Sequence, residues 1–435
     1  MNRLLLKFVC LSAMTLWSAA QGPTSSPSTK ESTPAVRQET FRKVWEIVRD
    51  KFFDPNFNGV DWNKVRERYA PLVAAAKTDS EMYELLTRML GELHVSHMEI
   101  ITPDVIAESA AGPPVTTGLG LRNIEGQIVV FRLLPGSSAE QAGFHPGFLV
   151  REIDGVKVKD LDDALTQLHG AAGTKVRVAF LDERDQQREL TLERRLLTSD
   201  QLDSEKFGKI PFYAIFESKR LEAGIGYIRF TQFIAPLGKK IEAAIESMRD
   251  APGMIIDLRA NGGGDDNVAI KMANHFFDKP TQLMITRTRK GDLDYYRAHP
   301  VAKPYLKPVV IIVDEGSGSA SEQFTAGMQE AGRAYVVGKK TEGSDMDADV
   351  AKLPTGAYLV YAAGEPRTPK GVVVEGRGVL PDLEVNLTRA ELLKGNDTQL
   401  SAAIQYIKQK VGNEKGSVRA AHAMRTRASA LPATR

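Results

Sequence analysis

The chain has 435 residues, of which 42% are hydrophobic and 26% are charged, and its formal net charge is +2. This composition is that of an ordinary globular protein with enough apolar residues for two or three hydrophobic cores. The 57 lysine and arginine residues are balanced by 55 aspartate and glutamate residues and are interspersed with them, which argues against a nucleic-acid-binding surface.

The first twenty residues, 1–20, are predicted to be a signal peptide. Basic residues precede an apolar run, Phe8–Trp17, and small residues suited to signal peptidase follow it. The run is too short to span a bilayer, and it contains the only cysteine, Cys10, so we expect a mature protein without disulfides or a thiol nucleophile. The chain is therefore expected to be exported, to the periplasm or the exterior, with no stable membrane span. Residues 21–39, rich in Pro, Ser, Thr and Gln, are predicted to be a disordered linker.

Residues 40–110 are predicted to form an N-terminal helical domain. Apolar residues recur at helical spacing in Phe41–Phe52 and in two further segments. The last of these ends in LGELHVSHMEI, Leu90–Ile100, which contains His94 and His97. Neither an HExxH motif nor an obvious third ligand accompanies these histidines, so a metal site is disfavoured. From the local pattern alone, His97 is interpreted as a hydrogen-bonded core histidine.

Residues 112–198 alternate short strands with glycine turns and contain one amphipathic helix near Leu161–Leu168. This segment resembles a PDZ domain, in which loop amides bind the terminal carboxylate of a peptide that adds as a strand to the sheet edge. The resemblance depends on the sequence PGSSAEQAGFHPGFLVREIDG, on the helix that would wall the groove, and on a carboxylate-binding loop formed by Gly118, Leu119, Gly120 and Leu121. Alternatively, the glycines of this loop serve only a tight turn.

The sequence MIIDLRANGGGDD, Met254–Asp266, is predicted to be a buried strand that ends in a glycine loop. It is neither a P-loop nor a dinucleotide-binding fingerprint, because GxxxxGK[ST] and GxGxxG are both absent. Three consecutive glycines allow the backbone to approach a ligand closely. The loop is therefore interpreted as an anion or oxyanion site in preference to a plain strand-to-helix turn.

From Pro308, the sequence PVVIIVDEGSGSASEQFTAGMQEAG predicts a strand, a turn of small residues and then a helix. Ser319 lies where the turn becomes the helix, so the N–H of Ala320 and the positive helix end would face an oxyanion formed at Ser319. The same four residues, Ser319–Glu322, also fit a capping box, in which the serine only caps the helix. Taken alone, the local pattern favours the helix cap, so the catalytic interpretation requires partner residues elsewhere in the chain.

Three separated motifs, DLRANGGG, GSASE and PKGVVVEGRGVLPDLEV, together resemble the serine peptidases that comprise the carboxyl-terminal processing (tail-specific) peptidases and the tricorn core peptidase. The resemblance spans nearly the whole mature chain. It implies a multidomain α/β fold in which residues 205–411 form a crotonase- and Clp-like peptidase core. It also implies that Ser319 is the nucleophile and that the amide of Ala320, with that of Gly263 or Gly264, forms the oxyanion hole.

The two branches of this family differ in the base that activates the serine. The processing branch uses a lysine in a TFGKG segment, but Ser344 stands at the corresponding position here, and a serine cannot act as the base. Lys339 and Lys340 lie nearby in the sequence and are the remaining lysine candidates.

The tricorn branch instead uses a histidine that follows a serine, together with a distant glutamate. The resemblance of LGELHVSHMEI to its histidine motif implies that His97 is the base and that Ser96 and Glu375 orient it. A histidine near its ordinary pKa would suit such a role at neutral pH.

These observations predict an exported serine endopeptidase that cleaves unfolded or extended polypeptides through an acyl-enzyme, with PDZ recognition of peptide or carboxyl-terminal segments. No metal or organic cofactor is expected, and the oligomeric state is not predicted. Residues 412–435 are expected to be a disordered basic tail. Two alternatives remain open, namely an inactive PDZ-containing peptide-binding scaffold and a serine–lysine processing peptidase.

Overall fold

The computed structural model describes residues 31–198, 201–207 and 210–428. The predicted signal peptide and much of the predicted linker lie outside these residues. The described chain is a multidomain α/β protein in which helices come first, a mostly antiparallel sheet follows, and a larger α/β region comes last.

The N-terminal region contains α1 (Pro34–Lys51), α2 (Trp62–Ala75), α3 (Asp79–Gly91), β1 (Glu99–Ile101) and α4 (Pro103–Ala110). The sequence analysis places a disordered linker as far as residue 39, whereas α1 already begins at Pro34. The Thr33 side chain caps this helix by accepting a hydrogen bond from the Val36 amide, and a proline suits the first helical turn.

The first three helices bury a common apolar core that includes Trp45, Leu86 and Met89. This core also contains Leu359 and Tyr361 from the distant α/β region. The N-terminal helices therefore pack on the rest of the protein and do not form a separate body, which fixes the loop that follows α3.

The middle region contains β2 (Val115–Thr116), β3 (Leu119–Ile124), β4 (Gln127–Leu133), α5 (Ser138–Gln141), β5 (Leu149–Ile153), β6 (Val156–Lys157), α6 (Leu161–Leu168), β7 (Lys175–Leu181), β8 (Gln187–Glu193) and β9 (Arg195–Leu196). Its main sheet has the antiparallel order β3-β4-β5-β7-β8, with β6 beside β5. Strand β3 is an edge strand of this sheet, and α6 packs against it.

The α/β region contains β10 (Asp203–Phe207), β11 (Ile210–Ala214), β12 (Phe216–Arg220), β13 (Gly226–Phe230), α7 (Ala235–Ser247), β14 (Met254–Asp257), α8 (Asp266–Ala273), β15 (Thr281–Thr288), β16 (Leu293–Ala298), β17 (Val309–Val313), α9 (Ala320–Glu330), β18 (Tyr335–Gly338), β19 (Asp347–Lys352), β20 (Tyr358–Arg367), β21 (Leu383–Glu384), α10 (Arg389–Leu393) and α11 (Thr398–Ala428).

The central sheet of this region has the order β12-β13-β14-β17-β18-β21, and all its neighbours are parallel except β12 and β13. Strands β14 and β17 are buried along their whole length because helices cover both faces of the sheet. The loops that follow β14 and β17 therefore meet at the carboxyl edge of the sheet, where α/β proteins usually bind ligands.

A second sheet has the order β1-β20-β15-β16, with β19 also paired to β20. Strand β1 joins it by antiparallel pairing of Glu99 with Val360. This pairing holds the segment after α3 against the α/β region.

The C-terminal helix extends further than the sequence analysis expects. Residues 412–428 of the predicted disordered tail, 412–435, continue α11 as helix to Ala428, and residues 429–435 lie outside the described residues. Alanine and arginine are frequent in this stretch and are strong helix formers. None of the described helices combines the length and the hydropathy that crossing a membrane requires.

Candidate active site

Ser319 lies at the carboxyl edge of the central sheet, between the end of β17 and the first residue of α9. The turn before it is tied to the neighbouring β14 loop, because Ser317 Oγ donates a hydrogen bond of 2.8 Å to the Leu258 carbonyl and Asp314 Oδ1 accepts one of 2.8 Å from the Ala260 amide. Ser319 itself is buried and has φ of +50°. Such a backbone costs a non-glycine residue about 1–3 kcal/mol and is typical of functional sites.

The glycine loop packs directly against Ser319. A Cβ atom on Gly263 would lie 2.6 Å from Ser319 Cβ and 2.9 Å from the Ala320 nitrogen. Any larger residue would therefore separate the two loops. Because Ala320 opens α9, its N–H belongs to the first helical turn, whose amides have no acceptor within the helix.

Gly263 and Gly264 are the two oxyanion candidates in the glycine loop. The Gly263 amide donates a hydrogen bond of 3.0 Å to Asn261 Oδ1, so it is engaged in this structure. Gly264 has φ of +136° and lies so close to Phe233 that no side chain would fit. The loop thus brings Gly263 beside Ser319, but the Gly263 N–H reaches a ligand only if its bond to Asn261 opens.

His97 lies in the loop between α3 and β1 and is 4% exposed. Its Nδ1 is 2.7 Å from Ser96 Oγ, and Ser96 Oγ is 2.8 Å from Glu375 Oε2. The Ser96 amide also donates a hydrogen bond of 2.7 Å to Glu375 Oε1. Three of the residues singled out by the sequence analysis are therefore brought together, although 279 positions separate Ser96 from Glu375.

These contacts fix the tautomer of the imidazole. The Ser96 hydroxyl has one hydrogen, which it donates to the Glu375 carboxylate. Its oxygen then accepts from His97 Nδ1–H and, at 3.4 Å, from the Met346 amide. With the proton on Nδ1, the Nε2 atom carries the lone pair that a general base requires.

His97 Nε2 is buried and has no hydrogen-bond partner within the part of the chain that the structure describes. It is therefore not bonded to the Ser319 hydroxyl in this conformation. Burial lowers the pKa of His97 to about 4, and the nearby Asp347 carboxylate opposes this shift. From the sequence alone, an ordinary histidine pKa is expected for this ring. The difference arises because the ring is desolvated, which disfavours its charged form.

One short segment connects Ser319 with the hydrogen-bonded residues Glu375, Ser96 and His97. The Ser344 carbonyl accepts a hydrogen bond of 2.9 Å from the Ser319 amide, and the Asp345 amide donates one of 2.7 Å to Glu375 Oε2. Ser344, noted in the sequence only as the residue that replaces a lysine, thus contributes its backbone to the site.

The two lysine candidates point elsewhere. Lys339 Nζ donates hydrogen bonds of 2.8 Å to Glu384 and 2.7 Å to Asn386, on the segment that includes β21 beside β18. Lys340 is exposed to solvent. Neither lysine is therefore placed within hydrogen-bond reach of Ser319, as a general base would have to be.

Several residues of the site escaped the sequence analysis. Asp347 lies near His97 and accepts a hydrogen bond of 3.1 Å from Gln323, one helical turn after Ser319. Asp345 is fully buried, and its pKa is raised by burial and by acidic neighbours that include Glu322. The described residues contain no group of three or more His, Cys, Asp or Glu side chains arranged to hold a metal ion. In the sequence, the acidic cluster in the segment GSDMDAD is the feature that could have indicated Asp345 and Asp347.

The residues of the predicted carboxylate-binding loop lie at the start of β3. Gly118 has φ of +86°, and a Cβ there would lie 2.1 Å from Ser137 Cβ, so this position requires glycine. Leu119 lines a cavity of about 260 Å³ together with Leu165 and Leu168 of α6. The opposite wall comes from the α/β region and includes Ala260, which precedes the glycine loop. Gly120 and Leu121 continue β3 beside β4.

Comparison with known proteins identifies two family matches. Residues 224–385 match the model of Peptidase family S41, and residues 33–91 match the tricorn protease C1 domain. The carboxyl-terminal-processing protease of Synechocystis sp. is 29% identical over 415 residues, which cover 91% of this chain and 90% of that protein.

Solved structures are similar over most of the chain. The photosystem II D1 C-terminal processing protease superposes with a TM-score of 0.55 and 25% identity, covering 80% of this chain and 93% of that one. The tricorn protease shares the fold with a TM-score of 0.50 and 18% identity, over 87% of this chain and 37% of that one. The helical start, the glycine loop and the serine turn thus all lie in matched regions, and the chain belongs to peptidase family S41 and is a serine-type peptidase.

Proposed function

We propose that this protein is an exported serine endopeptidase in which Ser319 is the nucleophile and His97 is the general base. In this proposal Glu375 and Ser96 orient His97. The amide of Ala320, with that of Gly264 or Gly263, stabilises the oxyanion. Polypeptides are the substrate class that the peptidase family implies.

The observation that carries this proposal is the hydrogen-bonded series Glu375, Ser96, His97. It holds the Nδ1–H tautomer and leaves a neutral, buried Nε2 as the one ring atom free to accept a proton. A purely structural histidine in so buried a position would be expected to satisfy both ring nitrogens, because an unpaired buried polar atom is costly.

The reaction follows from this arrangement. Ser319 Oγ attacks the scissile carbonyl as its proton passes to His97 Nε2, and the carbonyl oxygen becomes an oxyanion that receives hydrogen bonds from backbone amides. The imidazolium then protonates the leaving amine as the carbon–nitrogen bond breaks. Water resolves the ester by the reverse sequence. His97 Nε2 must come within hydrogen-bond reach of Ser319 Oγ when substrate binds, a tightening that is common between free and bound enzymes.

We further propose that the cavity between β3 and α6 is a PDZ-type groove that binds an extended peptide by its carboxyl terminus. The edge of β3 is available for strand addition, and the cavity walls combine leucines with Thr117 and His169. Because Ala260 also lines this cavity, a bound peptide would lie near the loop that precedes Gly263. Peptides with a free carboxyl terminus should therefore have a lower KM than their carboxamides.

Labelling with a fluorophosphonate probe, followed by hydrolysis of an unfolded polypeptide, tests the proposal. The wild-type protein should be labelled at Ser319 and should cleave the polypeptide, and Ser319→Ala should do neither while remaining folded. A folded wild-type protein that neither reacts with the probe nor cleaves would instead support a peptide-binding scaffold.

A further inference from the structure

Glu322 is fully buried three residues after Ser319 and accepts four hydrogen bonds. Its Oε1 accepts from Thr341 Oγ1 and, at 2.7 Å, from the Gly343 amide. Its Oε2 accepts at 2.9 Å from the Ser344 amide and at 3.2 Å from the amide of Ser319. Four donors occupy the usual acceptor capacity of one carboxylate.

A helix cap alone does not require this arrangement. In a capping box the glutamate needs only the bond to the N-cap amide, which here is the bond to Ser319. Glu81 in α3 illustrates the simpler case, since it is exposed and accepts a hydrogen bond of 2.7 Å from the Lys77 amide at the helix start. The other three bonds of Glu322 all go to residues 341–344, on a different loop.

The loop to which Glu322 binds, residues 341–344, also connects Ser319 to His97. Ser344 accepts from the Ser319 amide through its carbonyl, and the next residue, Asp345, donates to Glu375. Glu375 in turn holds Ser96 and, through it, His97. A displacement of the loop would therefore alter the separation between the nucleophile and its base.

We propose that Glu322 is a positioning residue that fixes Ser319 relative to the Glu375–Ser96–His97 series, an inference that depends on the function proposed above. In this role it acts through three backbone amides and the Thr341 hydroxyl, without touching the substrate. Removing its charge should therefore slow the acylation step while leaving substrate binding nearly unchanged. Glutamine at this position would direct an NH₂ group toward N–H and O–H donors, so at least one of the four bonds would be lost.

The test compares Glu322→Gln with wild type in steady-state peptide hydrolysis and in the rate of fluorophosphonate labelling. We expect kcat and the labelling rate to fall by about 100-fold, and KM to change by less than about twofold, because a small misplacement of reacting groups is costly. Glu81→Gln, which alters a capping glutamate far from the site, is the matched control and should behave as wild type.

Thr341 provides a second test if Glu322→Gln does not fold. Thr341→Val removes one donor to Glu322 and should lower kcat by roughly tenfold, whereas Thr341→Ser keeps the hydroxyl and should restore it. Equal kcat values in folded Thr341→Val and Thr341→Ser, or unchanged kcat in folded Glu322→Gln, would overturn this inference. Retention of activity by Ser319→Ala would instead overturn the proposed function, so the two failures are distinguishable.

Discussion

The candidate site has a serine group, Ser319 with the glycine loop, and a histidine group, His97 with Ser96 and Glu375. The two groups are positioned in different ways. Ser319 and the glycine loop follow two adjacent parallel strands, so they meet because of local sequence and sheet topology. His97 belongs to a loop after the N-terminal helices and reaches the site through packing and through contacts with Glu375. The nucleophile is therefore fixed by one sheet, whereas the position of the base depends on how two regions of the chain pack together.

Specific contacts pack the N-terminal region, which contains His97, against the α/β region. The Phe53 amide donates a hydrogen bond of 3.0 Å to the Ala362 carbonyl, and β1 pairs with β20. Arg289 donates hydrogen bonds of 2.7 Å to the carbonyls of both Phe52 and Arg49 at the end of α1. This difference between the two groups implies that changes in packing can alter catalysis without touching the serine turn.

The largest expected effect comes from removing either proposed reacting group. Ser319→Ala and His97→Ala should each lower kcat by about 10⁴-fold or more, because the two residues act as a unit. Lys339→Ala and Lys340→Ala are the controls, since neither lysine side chain faces the site. Measured kcat that survives His97→Ala and is lost with a lysine substitution would replace this account with a serine–lysine peptidase.

The next effect concerns the residues that hold the histidine. Glu375→Gln should lower kcat by about 100-fold, since Glu375 accepts from Ser96 twice and from the Asp345 amide. Ser96→Ala should cost less, about tenfold, because Glu375 would remain to order the loop. Steady-state kinetics on folded variants measures both. A larger loss in Ser96→Ala than in Glu375→Gln would show that the hydroxyl has a direct chemical role.

The pH dependence of kcat distinguishes the contribution of Glu322 from that of His97. Burial raises the pKa of Glu322 to about 7, assisted by its acidic neighbour Glu342 and opposed by the hydrogen bonds from Thr341 and Gly343, while the pKa of His97 is lowered to about 4. The buried Asp345 carboxyl also lies within range of Glu322. Between pH 4 and 7 His97 would be neutral and competent, but Glu322 would gain a proton and lose acceptor capacity.

We therefore expect wild-type kcat to fall by up to about tenfold per pH unit as the pH drops below 7. Glu322→Gln should lack this decrease and lose its residual activity only near pH 4, where His97 becomes charged. The full pH profile of kcat for both proteins is the measurement. A decrease centred near 6.5 that persists in the glutamine variant would assign it to His97 with an ordinary pKa.

The smallest effect should come from weakening the packing of the helical region. Arg289→Ala removes two hydrogen bonds to the end of α1 and should lower the free energy of unfolding by about 1–2 kcal/mol and kcat by roughly threefold. Arg297→Ala on β16 is the matched control, because Arg297 hydrogen-bonds Gln282 within its own sheet. Equal melting temperatures and kcat values in the two variants would mean that Arg289 does not help to hold the base in position.

The sequence predicted the serine group better than the histidine group, for a physical reason. Ser319 and Gly263 belong to strand–turn–helix patterns that can be read within a window of about twenty residues. The association of Ser96 and His97 with Glu375 was accessible only through resemblance to a family, because no local pattern relates residues 279 positions apart. The three bonds from Glu322 to residues 341–344 were not predicted at all, since they depend on how two loops pack.

Local composition misled the analysis at both ends of the chain. Pro34 and Thr33 were interpreted as part of a disordered linker, although together they form a helix start. The basic composition after residue 412 was interpreted as disorder, although alanine and arginine also favour helix and α11 continues through this stretch. In each case the residue types occur both in disordered segments and in helices or their caps, and the described residues are helical or cap a helix.

The central claim is that His97 takes the proton of Ser319, and a crystal structure of the protein bound covalently to a peptidyl phosphonate tests it most directly. The account predicts that His97 Nε2 lies about 2.6–3.2 Å from Ser319 Oγ or the adjoining phosphonate oxygen, with Ser96 still between Nδ1 and Glu375. An adduct in which the imidazole remains beyond hydrogen-bond reach while a lysine Nζ contacts Ser319 Oγ would contradict it.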